Sequence, residues 1–141
     1  MSLIYWDSML FVYLLEAHPQ YGPPVEQIFR EMTRRGDRLC TGTLTIGEVL
    51  TGPYKMNKLS EVEEFSEFFD SEFVDVLPFT KPVAYQYARI RAKHKVTPGD
   101  AFHLAIASVS NVDLYLTNDK KIRNLAIDGI KFIAGLDGKI F

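Results

Sequence analysis

The chain has a single cysteine, Cys40, which excludes an internal disulfide framework and any cysteine-built zinc site. That usage fits a reducing, cytoplasmic setting. No apolar run approaches the ~20 residues of a membrane span. The N-terminal stretch MSLIYWDSMLFVYLLEAH is apolar, but it lacks a basic start and is interrupted by Asp7. It therefore reads as core structure rather than as a signal peptide. Positive charge is also lacking: 16 Lys and Arg against 18 Asp and Glu leave a net charge of −2. Any nucleic-acid partner would have to be drawn by a local basic patch. With no repeat, low-complexity tract or Pro/Gly/Ser-rich linker, residues 1–141 read as one domain.

Apolar residues make up 47% of the chain, ample for a buried core without a metal or disulfide staple. Short apolar runs at 2–6, 38–43, 73–79, 112–117 and 130–133 read as strands. Helical spacing fills the intervals. Ser8 caps a first helix with Leu10, Phe11, Leu14 and Leu15 on one face, and YGPP breaks it. Further helices are predicted at 24–35, at 43–52 with Gly52-Pro53 as its stop, and at 58–70, 80–94 and 98–109. Strands alternating with helices predict an α/β fold: a central parallel sheet of four to five strands, with helices on both faces.

In such a sheet, ligands bind beyond the carboxyl ends of the strands. Asp7 follows the first strand, and Asp119 lies two residues past the fourth. Glu48 sits early in the helix after the second strand, and Asp100 in the first turn of TPGDAFHLAIA. Each has a structural reading too. Thr97, Pro98 and Asp100 form a capping box, Asn118-Asp119 favours a turn, and Asp7 is also a candidate cap. Glu48 resists such a reading, because it interrupts the apolar run LTIGEVL and would need a partner, with RIRAKHK (89–95) as a source of one. Four carboxylates on one edge repel one another unless a cation joins them. An all-oxygen set points to Mg²⁺ or Mn²⁺ rather than zinc.

The blocks LIYWDSMLFVYLLE, TLTIGEVLTGP, TPGDAFHLAIA and LYLTNDKKIRNL, in this order, resemble the acidic blocks of PIN-domain ribonucleases. Length and layout are similar to the VapC-type toxins of prokaryotic toxin–antitoxin pairs. The resemblance implies that Asp7, Glu48, Asp100 and Asp119 hold one or two Mg²⁺ or Mn²⁺ ions for RNA hydrolysis, with Thr117 as the supporting hydroxyl. It implies an antitoxin partner and a homodimer as well. Met9 departs from the family, which usually has Ser or Asn there; Ser8, its neighbour, is expected to point elsewhere.

Arg89 and Arg91, and Lys120 and Lys121 in KKIR, are the candidate contacts to RNA phosphates. The same basic residues also read as solvated helix faces. His103 is read as a packed residue without a catalytic role, and Tyr5 and Trp6 as strand core. Two other classes compete with a nuclease. A phosphoacceptor receiver domain would need an acidic pair after the first strand and an Asp after the third, whereas YWDS has one acid and the third strand ends VLPF. A non-catalytic interaction module would keep the fold without the chemistry.

Overall fold

A computed structural model describes residues 1–137 and 140–141. The described residues form a parallel sheet with helices on both faces. In chain order the elements are β1 (Leu3–Trp6), α1 (Ser8–Leu15), α2 (Gly22–Arg35), β2 (Arg38–Gly42), α3 (Thr43–Lys55) and α4 (Leu59–Asp70). There follow β3 (Asp75–Leu77), α5 (Lys81–Lys93), α6 (Pro98–Val109), β4 (Leu114–Leu116) and β5 (Phe132–Ala134). The strand order is β3-β2-β1-β4-β5, with every pairing parallel.

Alternation along the strands divides the core in two. Ile4 and Trp6 of β1, Leu39 of β2 and Leu116 of β4 face α1–α4, where Phe11, Ile28, Val49 and Phe65 pack on them. Tyr5, Cys40 and Tyr115 point to the other face, under α5 and α6. Tyr5 pairs in register with both Cys40 and Tyr115, and its ring stacks on Tyr115 with centroids 5.1 Å apart. The small residues Ala101, Ala105 and Ala107 let α6 lie close to the sheet. Gly42 is part of that fit: a Cβ there would stand 2.5 Å from Ile106 Cδ1 and 3.0 Å from the Tyr5 hydroxyl.

Local departures from the expected elements have local causes. YGPP opens α2 and is not what ends α1. Pro23 and Pro24 occupy first-turn positions whose N–H groups need no helical partner. α1 already stops at Leu15, capped by Glu16 and followed by Ala17 at a positive φ of 50°. Gly52-Pro53 does not end α3, which runs on to Lys55 with Pro53 buried, so packing offsets the lost hydrogen bond. The third strand shrinks from 73–79 to Asp75–Leu77, the length over which β2 offers partners.

β1 leads to β2 and β3 on one side, whereas β4 and β5 lie on the other side of β1. The connection reverses between β1 and β4. At such a switch point the loops leave the sheet in opposite directions and open a crevice at the strand carboxyl ends. Asp7 and the Thr117–Asp119 segment leave β1 and β4 at this edge.

Candidate active site

Asp7 is the residue at the switch point, buried at 9% exposure. It caps α1 in place of Ser8: Oδ1 accepts the Met9 N–H at 3.2 Å. The other oxygen, Oδ2, accepts the hydroxyl of fully buried Thr117. Thr117 Oγ1 in turn accepts the Asp119 N–H at 3.1 Å, so one hydroxyl ties the end of β1 to the loop after β4. Burial pushes the Asp7 carboxyl up to about 6, against the opposing pull of Thr117 and His103. Met9 uses only its backbone here, and its side chain is exposed.

Glu48 lies on α3 with one oxygen engaged. Its Oε1 accepts from Ser8 Oγ at 2.6 Å and from His103 Nε2 at 2.6 Å. These bonds, His103 foremost, hold its carboxyl below the ordinary range despite partial burial. Two expectations are corrected. The partner of Glu48 is a histidine and a serine rather than an arginine or lysine of RIRAKHK, and Ser8 points into the crevice. The second oxygen, Oε2, faces the start of α6, 3.8 Å from where a Cβ on Gly99 would stand.

Asp100 occupies the third position of α6, and its N–H donates to Thr97 Oγ1 at 3.2 Å, so the helix cap is real. Its carboxyl is half-buried and raised, first by burial and then by the charges of Asp119 and Glu48. Asp119 is also the turn residue its sequence suggests, accepting the Lys121 N–H at 3.0 Å. Asp100 and Asp119 share a groove of about 490 Å³ with Arg91, Lys95 and Lys121. Arg89 is directed elsewhere: it donates to Gln86 at 2.8 Å and lines a separate groove with Lys93 and Ile127. Lys120 is exposed to solvent.

Asp100 and Asp119 line one groove, Glu48 acts on Asp100 through its charge, and Asp7 is tied to the Asp119 backbone through Thr117, but the four acids do not close on a point. Among the described residues, no three His, Cys, Asp or Glu side chains have the spacing of a preformed metal site. Nor, among the described residues, does a Lys or Arg form an ion pair with any of these four carboxylates. The four carboxylates offer only oxygen, and the one basic side chain bonded to any of them among the described residues is His103, on Glu48. The set fits a hard divalent ion, since Mg²⁺ keeps several waters and needs only one or two carboxylates at contact distance.

Sequence reasoning undervalued Ser8 and His103. The available signal was the i, i+3 spacing of Asp100 and His103, which places both along one side of α6. His103 is, as expected, buried and hydrogen-bonded, yet its bonds run to Glu48 and Ser8 of the site.

A family model described as PIN domain matches residues 4–128. A search of curated proteins returned no match. Among solved structures, the chain is similar to VapBC2 from Rickettsia felis, bound to a DNA fragment from their promoter (TM-score 0.76, 14% identity, 94% of this chain and 98% of that one). It is similar to a toxin–antitoxin complex from Klebsiella pneumoniae (TM-score 0.69, 14% identity, 90% and 94%). FitAcB from Neisseria gonorrhoeae shares the fold as well (TM-score 0.64, 20% identity, 84% and 88%). The family match covers most of the chain and the parallel sheet carries its acids at the strand ends: the chain belongs to the PIN domain family.

Proposed function

We propose that this protein is a metal-dependent endoribonuclease that hydrolyses RNA phosphodiester bonds, acting as the toxin of a toxin–antitoxin pair. The observation that carries the reading is the set of four carboxylates, unpaired with any Lys or Arg among the described residues, around the β1–β4 crevice of a PIN domain. Asp7, Glu48, Asp100 and Asp119 would hold Mg²⁺ or Mn²⁺. A bound divalent ion supplies Lewis acidity there, making hydroxide available near neutral pH and neutralising phosphate charge.

The chain's own residues do the rest. Thr117 and the Met9 N–H fix the Asp7 carboxylate, while Ser8 and His103 fix Glu48. Arg91 and Lys121 border the Asp100–Asp119 groove and supply phosphate contacts. Without a cation the acids repel the RNA backbone, so cleavage is strictly metal-dependent.

The antitoxin partner is supported by the likeness to VapBC2 and to a toxin–antitoxin complex, and a homodimer is proposed beside it from the family resemblance alone. Phe11, Phe65 and Phe69 are buried in the core, so a partner would dock elsewhere than on these rings. A non-catalytic PIN-fold module is the second reading, favoured by the open spacing of the acids. Labelled RNA incubated with the purified protein and Mg²⁺, Mn²⁺ or a chelator separates the two. A nuclease cuts with metal only and loses activity in Asp7→Asn and Asp100→Asn. No cleavage with either metal, together with no Mn²⁺ uptake by calorimetry, leaves the module.

A further inference from the structure

We propose that His103, anchored by Tyr5, is a positioning residue that fixes the orientation in which Glu48 presents its second oxygen to the crevice. The inference rests on the nuclease reading above and adds two residues that touch neither metal nor RNA.

His103 is 3% exposed on the most apolar part of α6, between Ala101, Leu104 and Ala105. A leucine would fill that volume at no polar cost. The imidazole is kept in contact with three polar groups from three other elements. Nδ1 lies 2.7 Å from the Tyr5 hydroxyl of β1, and Nε2 lies 3.0 Å from Ser8 Oγ of α1 and 2.6 Å from Glu48 Oε1 of α3.

The directions of these bonds follow from donor chemistry. An ionised carboxylate only accepts, so Nε2 carries the hydrogen it gives to Glu48. With Nε2 given to Glu48, Nδ1 is the ring atom that meets the Tyr5 hydroxyl, so the two bonds hold the ring from opposite sides. Removing that hydroxyl leaves Nδ1 without its partner, and the ring loses the contact that fixes its rotation toward Glu48. Burial keeps the Tyr5 phenol protonated throughout.

Ser8 and His103 both hold Oε1, so the Glu48 side chain is pinned while Oε2 stays directed to the start of α6, beside Asp100. Glu48 is partly exposed and otherwise free to rotate into solvent. Partners of this kind typically contribute 10–100-fold to metal affinity.

The test compares wild type with Tyr5→Phe, His103→Leu and His103→Gln. Thermal melts establish folding, calorimetry with Mn²⁺ alone measures affinity, and ¹⁵N NMR of the metal-free protein reports the imidazole tautomer. The expected wild-type spectrum has Nε2 protonated. Tyr5→Phe, which keeps the ring and its stacking on Tyr115, and His103→Leu are expected to weaken Mn²⁺ binding by about 10–100-fold. His103→Gln, whose amide can still donate to Glu48, recovers part of that loss. A histidine that merely fills space predicts the opposite order, with Leu better than Gln. Mn²⁺ bound as tightly by His103→Leu as by wild type, or an unprotonated Nε2, overturns the positioning role alone. A wild type that takes up no Mn²⁺ overturns the proposed function and this role with it.

Discussion

The Thr117 hydroxyl donates to Asp7 Oδ2 across 110 positions of sequence, and Thr117 Oγ1 itself accepts the Asp119 N–H. A single buried side chain thereby holds two acids of the crevice in one frame. Thr117→Val keeps the shape and removes both bonds. It leaves a buried carboxylate short of a donor, which costs about 1–3 kcal/mol. The expected result is a lower melting temperature and a loss of metal-dependent cleavage larger than the stability loss explains; Thr117→Ser should restore both in part.

The Asp7 carboxyl makes the metal-free protein pH-sensitive. It titrates at about 6 in the fold, against an ordinary 3.8. Between those values the folded state holds the proton more tightly than the unfolded chain does, so stability falls as pH rises through this interval. Above about pH 6 both states are ionised and the cost is fully present, on the order of 3 kcal/mol. Melts of metal-free Asp7→Asn should therefore lie above wild type at neutral pH and converge with it below about pH 4. A wild type that gains stability steadily from pH 4 to 7, relative to Asp7→Asn, would contradict the raised carboxyl.

Divalent metal should reverse that penalty. An ion that binds only the folded state adds about 2.7 kcal/mol at a hundred times its Kd. Mn²⁺ is expected to raise the melting temperature at neutral pH, with the gain shrinking as pH falls through about 6 and protons compete for Asp7. Differential scanning fluorimetry with Mn²⁺, Mg²⁺ and chelator reads this directly. Asp7→Asn should lose most of the response.

The two arginines of RIRAKHK should part company. Lys121→Ala and Arg91→Ala remove charges bordering the Asp100–Asp119 groove. Each should weaken RNA binding and lower the slope of log K against log salt by about one. Arg89→Ala, on its separate groove, should leave the slope unchanged. Because Arg91 also donates to the Tyr87 hydroxyl at 3.0 Å, Lys121→Ala is the cleaner comparison. Fluorescence anisotropy with an RNA oligonucleotide over a salt series gives the slopes.

On the α1–α4 face, fully buried Phe11 lies 5.2 Å from the Trp6 ring and 5.3 Å from Phe69, joining α1, β1 and α4. Phe11→Ala should cost about 3–5 kcal/mol, measured by denaturant unfolding.

The α/β class and the order of the elements were legible in the sequence because their causes are local, and position at the strand ends was enough to name four candidate acids. Short apolar runs such as LIYW, closed by a polar residue, and period-3.6 runs such as VEQIFREM mark strands and helices from sequence neighbours alone. Thr97-Pro98-Gly99-Asp100 announces a helix start by capping chemistry alone. Pro53 misled because its cost is local while the burial that offsets it is not.

What only the tertiary structure decided is which distant groups meet. Glu48 finds His103 at a separation of 55 residues, Ser8 finds His103 at 95, and Tyr5 finds it at 98. No periodicity encodes such pairings; they follow from the strand order that places β1 between β2 and β4. The same packing turned Arg91 toward the acids and Arg89 away from them, two residues apart on one helix. Residue type and spacing thus determined which chemistry the chain carries, and the sheet topology determined which atoms of it face one another.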